Sequence, residues 1–158
     1  MERQQKSAEE LADQDERTNS MGLFNVAEAY RLSAEELRKA RVDAGHAEHP
    51  IRFLYYHAVE LYLKALLRLR HDVETIREDY GHKTLRLVRE AENLGLLVDD
   101  EDRRIYELMG DTDAVIDSRY IRTGWKTSPT IESLSRTGLS LRSEVGRLLH
   151  KAGVEVRL

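Results

Sequence analysis

Apolar residues recur every three or four positions along most of this chain, and nowhere do they alternate with polar ones over a useful length. A period near ~3.6 residues predicts amphipathic helices and no sheet. The clearest stretch is IRFLYYHAVELYLKALLRL, residues 51–69. In it Ile51, Leu54, Tyr55, Ala58, Tyr62, Ala65, Leu66 and Leu69 fall on one side of a helix expected from about Pro50 to Arg70.

Four further helices follow from the same spacing. Leu23, Ala27, Tyr30, Ala34, Leu37 and Ala44 mark a long first helix ending near Gly45, where a left-handed cap carries little strain. Leu85 and Val88 mark a shorter one over about Lys83–Asn93, opened by Gly81-His82. Ile105, Leu108, Met109, Thr112, Val115 and Ile116 give the fourth its inward face, behind the acidic run Asp99–Asp102 that suits a helix start. Ser128 and Pro129 introduce the fifth, which continues through Leu134, Leu141 and Leu148 to about Lys151. The expected fold is therefore all-α, an up-and-down bundle of about five helices over residues 20–153. Residues 1–19 read as a flexible polar tail or frayed helix, and 154–158 as a short C-terminal tail.

Composition agrees. A chain of 158 residues with 41% hydrophobic and 34% charged content suits one helical domain. No apolar run approaches the ~20 residues that span a bilayer, and the N-terminus lacks the apolar centre of a signal peptide. With no cysteine to form disulfides, the expected location is the cytoplasm. Charge is uneven: residues 119–158 hold eight basic groups against three acidic ones, in a chain of net charge −4. An acidic body argues against wrapping long duplex nucleic acid but leaves room for a local anion site.

Three places carry candidate chemistry. Phe53, His57, Glu60 and Lys64 form a line beside the apolar face of the second helix. Glu60 and Lys64 have the favourable i,i+4 orientation of a solvated pair, worth only ~0.2–0.5 kcal/mol, yet with His57 they also suit a polar ligand. Arg52 and His57 are separated by four residues; in a ribonuclease such a cation could stabilise phosphorane-like charge while the imidazole moves the proton. Five residues of helix set them about 140° apart in rotation and about 7.5 Å along the axis, so they converge only if the helix breaks or a second subunit intervenes. In the loop 118–125, Arg119 and Arg122 offer forked phosphate donors, and Tyr120 and Trp125 offer stacking surfaces. The alternative there is a structural plug that closes one end of the bundle. No phosphate-cradling glycine loop, HExxH, Gly-x-Ser-x-Gly or EF-hand pattern occurs. The six histidines lack metal-ligand spacing, so neither metal nor cofactor is expected.

The segments YYHAVELYLKALLRL, YGHKTLRLVREAENLGL and DSRYIRTG together resemble the HEPN (higher eukaryotes and prokaryotes nucleotide-binding) superfamily. The likeness spans about Leu23–Lys151 and is sharpest over Ala58–Leu66 and at Gly81-His82. It implies a helical bundle that usually forms a homodimer. Some members are metal-independent ribonucleases of toxin–antitoxin or phage-defence systems. Others are non-catalytic and associate with nucleotidyltransferase-type or antitoxin partners, nucleotides or RNA. Catalytic members carry arginine, four to six residues, then histidine, at the end of a late helix. The matching region here, Arg119–Trp125, has no histidine at that distance, and Arg52–His57 lies on the second helix. The expected function is binding of nucleotide, RNA or a partner protein without strong catalysis, through Arg119, Tyr120, Arg122, His57, Glu60 and Lys64. A ribonuclease toxin and a purely structural interaction module are the alternatives.

Overall fold

A computed structural model describes residues 7–110 and 127–158, and these contain helices and no strand. The helices are α1 (Ala8–Arg17), α2 (Ser20–Lys39), α3 (Glu48–Leu67), α4 (Val73–Thr75), α5 (Thr84–Asn93), α6 (Asp100–Met109) and α7 (Ile131–Lys151). The short α4 runs directly into a π-helix, Ile76–Tyr80. No described helix is long and apolar enough to cross a membrane.

Each expected helix has a counterpart, and the boundaries differ for local reasons. The first ends at Lys39 rather than near Gly45, because Ala40 already has extended backbone angles. The fourth stops at Met109, where Gly110 takes φ +80°; Thr112, Val115 and Ile116 lie outside the described residues. The fifth is capped by Thr130, whose hydroxyl accepts from the Ser133 amide, two residues after the expected cap at Ser128.

The polar N-terminal stretch is helical from Ala8. Ser7 and Glu10 form a reciprocal capping box at its start, a donor–acceptor pattern that offsets the missing intrahelical partners. No residue of α1 is buried, so its place depends on polar contacts. Arg68, at the end of α3, supplies them: its guanidinium donates to the carbonyls of Asp15 (3.0 Å), Thr18 (2.8 Å) and His71 (2.6 Å). The carboxylate of Asp15 accepts from the Val73 amide at 2.7 Å. At the other end, residues 154–158 fold back on α7, with Val156 buried and its carbonyl 3.0 Å from His150 Nε2.

The centre of the molecule is α3. It is buried on most sides because α2, α5 and α7 all pack against it. Phe24, Tyr55, Tyr62, Leu63, Leu66, Leu134, Leu141 and Leu149 are among its fully buried neighbours and members. Burying each such side chain contributes roughly 1.5–3 kcal/mol, so the core rests on this helix more than on any other. The pair α2–α3 is antiparallel, since Tyr62 meets Glu28 and Tyr55 meets Glu35.

Candidate functional site

The site is built where α5 begins against the middle of α3. Glu60 sits among apolar positions of α3 and is only 3% exposed. A carboxylate so placed needs charged or hydrogen-bonding partners to offset its lost hydration. It has two. Lys64 Nζ, one turn on, donates to Oε1 at 2.7 Å. His82 Nδ1 lies 2.9 Å from the same oxygen and 3.0 Å from Oε2.

The local sequence explains how His82 arrives there. The π-helix closes with the Gly81 amide on the Ile76 carbonyl at 2.9 Å. Gly81 then adopts φ +55°, ψ −120°, a conformation open to glycine and costly for other residues. That reversal turns the chain so that the next residue faces α3. The wider turn of a π segment is a frequent device at functional positions. Thr84, Leu87, Val88 and Ala91 then bury the inner face of α5 and hold it on α3.

One buried carboxylate thus orients two cationic or donor groups at the surface, since His82 keeps 38% and Lys64 15% of its side chain exposed. With His82 protonated, the trio carries one net positive charge. With Nδ1 donating to Glu60, Nε2 of His82 is the ring nitrogen left to meet a ligand or a proton. Hydrogen positions follow from the network here, as for any imidazole.

The other sequence candidates fall elsewhere. His57 packs between aromatic rings, edge-on to Tyr30 at 4.3 Å and stacked on Phe53 at 5.9 Å. It belongs to the α2–α3 contact, one turn from the Glu60 cluster. Arg52 donates to the Pro129 carbonyl and to Glu48 (3.1 Å), tying α3 to the start of α7. Arg52 and His57 are therefore engaged in different places, in keeping with their angular separation. Arg119, Tyr120 and Arg122, together with Trp125, lie outside the described residues. Sequence reasoning missed His82 as a site residue. Its signal was the Gly-His pair, but the contact with Glu60 spans 22 positions and passes through an irregular turn.

A second polar cluster is structural. Glu28 accepts from Arg31 Nε (2.9 Å), Arg142 Nε (2.8 Å) and the Tyr62 hydroxyl. Burial raises the Glu28 pKa, but these donors together lower it by more, so it ends below the ordinary carboxylate value. Burial also drives the Tyr62 pKa far up, reinforced by Glu28. Its members are turned mainly on one another, with Arg142 also donating to the Arg157 carbonyl (3.4 Å), which suits a fastening of α2, α3 and α7. Among the described residues no group of three or more acidic or histidine side chains is placed to hold a metal ion.

Compared with models of known families, with characterised proteins and with solved structures, the chain matches none.

Proposed function

We propose that this chain is a HEPN-like helical protein that acts as a cytoplasmic homodimer and binds the phosphate of a nucleotide or RNA. The observation that carries this reading is Glu60 holding Lys64 and His82 on one carboxylate oxygen. Donors fixed in advance lose little freedom when an anion arrives, and a partly enclosed pair is screened less by salt than loose surface lysines. The placement of Glu60, Lys64 and His82 within the segments that resemble the superfamily supports the same reading. Arg119, Tyr120 and Arg122 are proposed as further contacts. For the dimer, support comes from exposed Val26 and Leu32 on α2, beside an open apolar hollow lined by Leu32, Leu37 and Ala40. An antitoxin or nucleotidyltransferase-type protein remains the partner that the resemblance implies.

A second reading, a metal-independent ribonuclease, is favoured by one specific feature. A histidine whose Nδ1 is oriented by a buried carboxylate has the arrangement of a general acid–base residue. Here that residue is His82, rather than His57. Incubation with RNA in EDTA separates the two readings: cleavage abolished by His82→Ala supports the enzyme, and binding without cleavage supports the module. Loss of nucleotide and RNA binding in Lys64→Ala/His82→Gln, with the fold intact, is the expected result. Unchanged affinities would remove the site.

A further inference from the structure

We propose that the outer face of α5 is a track for the backbone of a single-stranded polynucleotide, with Arg86 and Arg89 binding phosphates beyond the Lys64–His82 edge. The inference rests on the reading of that edge as a phosphate site and extends it from a single group to a polymer.

Arg86 and Arg89 are exposed, and neither side chain makes a hydrogen bond or ion pair among the described residues. Arg41, Arg70, Arg104 and Arg157 are alike in this, but Arg86 and Arg89 lie together on α5, next to the Lys64–His82 edge. Most described arginines hold a carboxylate, including Arg31, Arg77, Arg103, Arg136 and Arg147. The acidic side chains nearest along α5 are already taken: Glu90 by His71 (2.8 Å) and Asn93 (3.0 Å), and Glu92 by Arg103 (2.5 Å). The two guanidinium groups therefore present unneutralised charge in a chain of net charge −4.

Position favours a linear ligand. Thr84, Leu87, Val88 and Ala91 face inward, which leaves Arg86 and Arg89 on the opposite side, one turn apart. Side chains at that spacing start about 5–6 Å apart at Cβ, and their planar forks match phosphate oxygens. His82 precedes Arg86 by four residues, so the row leads away from the edge already described.

Chemistry favours a polynucleotide over a folded protein. Protein interfaces gather around an apolar centre. The exposed large apolar side chains, such as Met21, Val26, Leu32, Leu97 and Leu139, all lie on other elements, and α5 has none. A row of free cations without an apolar centre suits a flexible polyanion, whose affinity comes from counterion release.

The test uses the full chain, fluorescence anisotropy with labelled uridine and thymidine dodecamers, and competition by uridine monophosphate. Arg86→Ala/Arg89→Ala is expected to weaken both dodecamers about tenfold and to lower the slope of log K against log salt by about 1.4, at about 0.7 per phosphate contact. Its affinity for the monophosphate should stay unchanged, whereas Lys64→Ala/His82→Gln should weaken monophosphate and dodecamers alike. An unchanged dodecamer affinity and salt slope in the α5 pair overturns the track, whatever Lys64 and His82 do. Unchanged monophosphate and dodecamer affinities in the Lys64/His82 pair overturn the edge instead. A polyglutamate of similar length that binds as tightly, and loses as much in the α5 pair, would also overturn the assignment to polynucleotide.

Discussion

The hydroxyl of Tyr62 donates to the carboxylate of Glu28, and seven residues away on each helix Tyr55 repeats the contact with Glu35 at 2.7 Å. Both pairs join α3 to α2 at the same antiparallel register. Apolar packing alone tolerates sliding by a turn, but two hydrogen bonds to half-buried carboxylates do not. The pairs therefore select one alignment of the central hairpin and, with it, the angle at which α3 offers Glu60 to α5.

Removing one of them should be costly but not fatal. In Tyr62→Phe, Glu28 keeps Arg31 and Arg142 and loses one donor, while Arg31 Nε loses its second acceptor at 3.2 Å. A hydrogen bond to a charged group is worth roughly 1.5–3 kcal/mol, and the ring still fills its place beside Phe24. Urea unfolding should show a loss in that range with an unchanged m-value. A loss below ~0.5 kcal/mol would mean that packing, not this bond, sets the register.

The same groups contribute to the pH profile. Burial raises the pKa of Glu28 and Glu35, but hydrogen bonds from Arg31, Tyr62 and Arg142 to the first, and from Ser135 and Tyr55 to the second, leave both below the ordinary 4.5. The folded state thus binds fewer protons than the unfolded one in acid. Their stabilisation is present above pH 4.5 and lost as pH falls through the depressed folded values. Tyr55 and Tyr62 shift the other way: burial first, then their glutamate partners, raise them above 10.0. Their contribution is whole below pH 10.0 and is lost as pH rises through the folded values. Urea midpoints should form a plateau between these limits, and Tyr62→Phe should flatten both flanks. A midpoint that stays level down to about pH 3 would contradict this account.

Glu60 should behave as the keystone of its cluster. Glu60→Gln keeps the volume but offers Lys64 no negative charge and one acceptor oxygen in place of two, and a cost of about 1–3 kcal/mol is expected. His82→Ala, which removes a partly exposed partner and leaves Lys64 in place, should cost less. A double-mutant cycle of Glu60→Gln with His82→Ala should give a coupling above ~0.5 kcal/mol. Additive effects would show that the contact does no energetic work.

Gly81→Ala tests the turn rather than the contact. A Cβ there would lie 3.6 Å from the Arg77 carbonyl, so space is adequate; the obstacle is φ +55° combined with ψ −120°. Such backbone strain costs of order 1–3 kcal/mol. The variant should lose stability in that range and, by shifting His82, should also lose the Glu60–His82 coupling. Full stability with the coupling intact would show that the reversal does not depend on glycine.

Much of the framework was legible because α3 states it locally. Leu54, Tyr55, Ala58, Tyr62 and Leu66 repeat at helical spacing, and each neighbouring helix carries its own stripe. What the stripes cannot encode is which polar residues meet. Glu60 and Lys64 satisfy the spacing rule for a solvated pair, yet α5 covers Glu60 and turns the pair into a buried one. His82 reaches it through a π-helix and a positive-φ glycine, features with no periodic signature. The glycines of the last helix likewise have partners far off in sequence: Gly138 faces Arg31 and Tyr55, and Gly146 lies under Leu158.

The last expectation concerns α1, which the polar N-terminal sequence left between tail and helix. A ten-residue helix with no buried side chain is not stable alone in water. Its order therefore depends on Arg68, which reaches the carbonyls of Asp15 and Thr18 from α3 while Asp15 caps the start of α4. Arg68→Ala removes those donors and should release α1 without unfolding the core, because α1 buries no side chain fully and Leu11 is its one half-buried large apolar residue. Hydrogen exchange should then show amides of residues 8–17 losing protection while those of α3 and α7 keep theirs. Limited proteolysis should cut the variant within 8–17 and spare the rest. Arg68→Lys should give an intermediate result, since one ammonium cannot reproduce a fork that spans three carbonyls. If α1 stays protected in Arg68→Ala, its half-buried Leu11 and Gln14 hold it in place, and the guanidinium is not the latch.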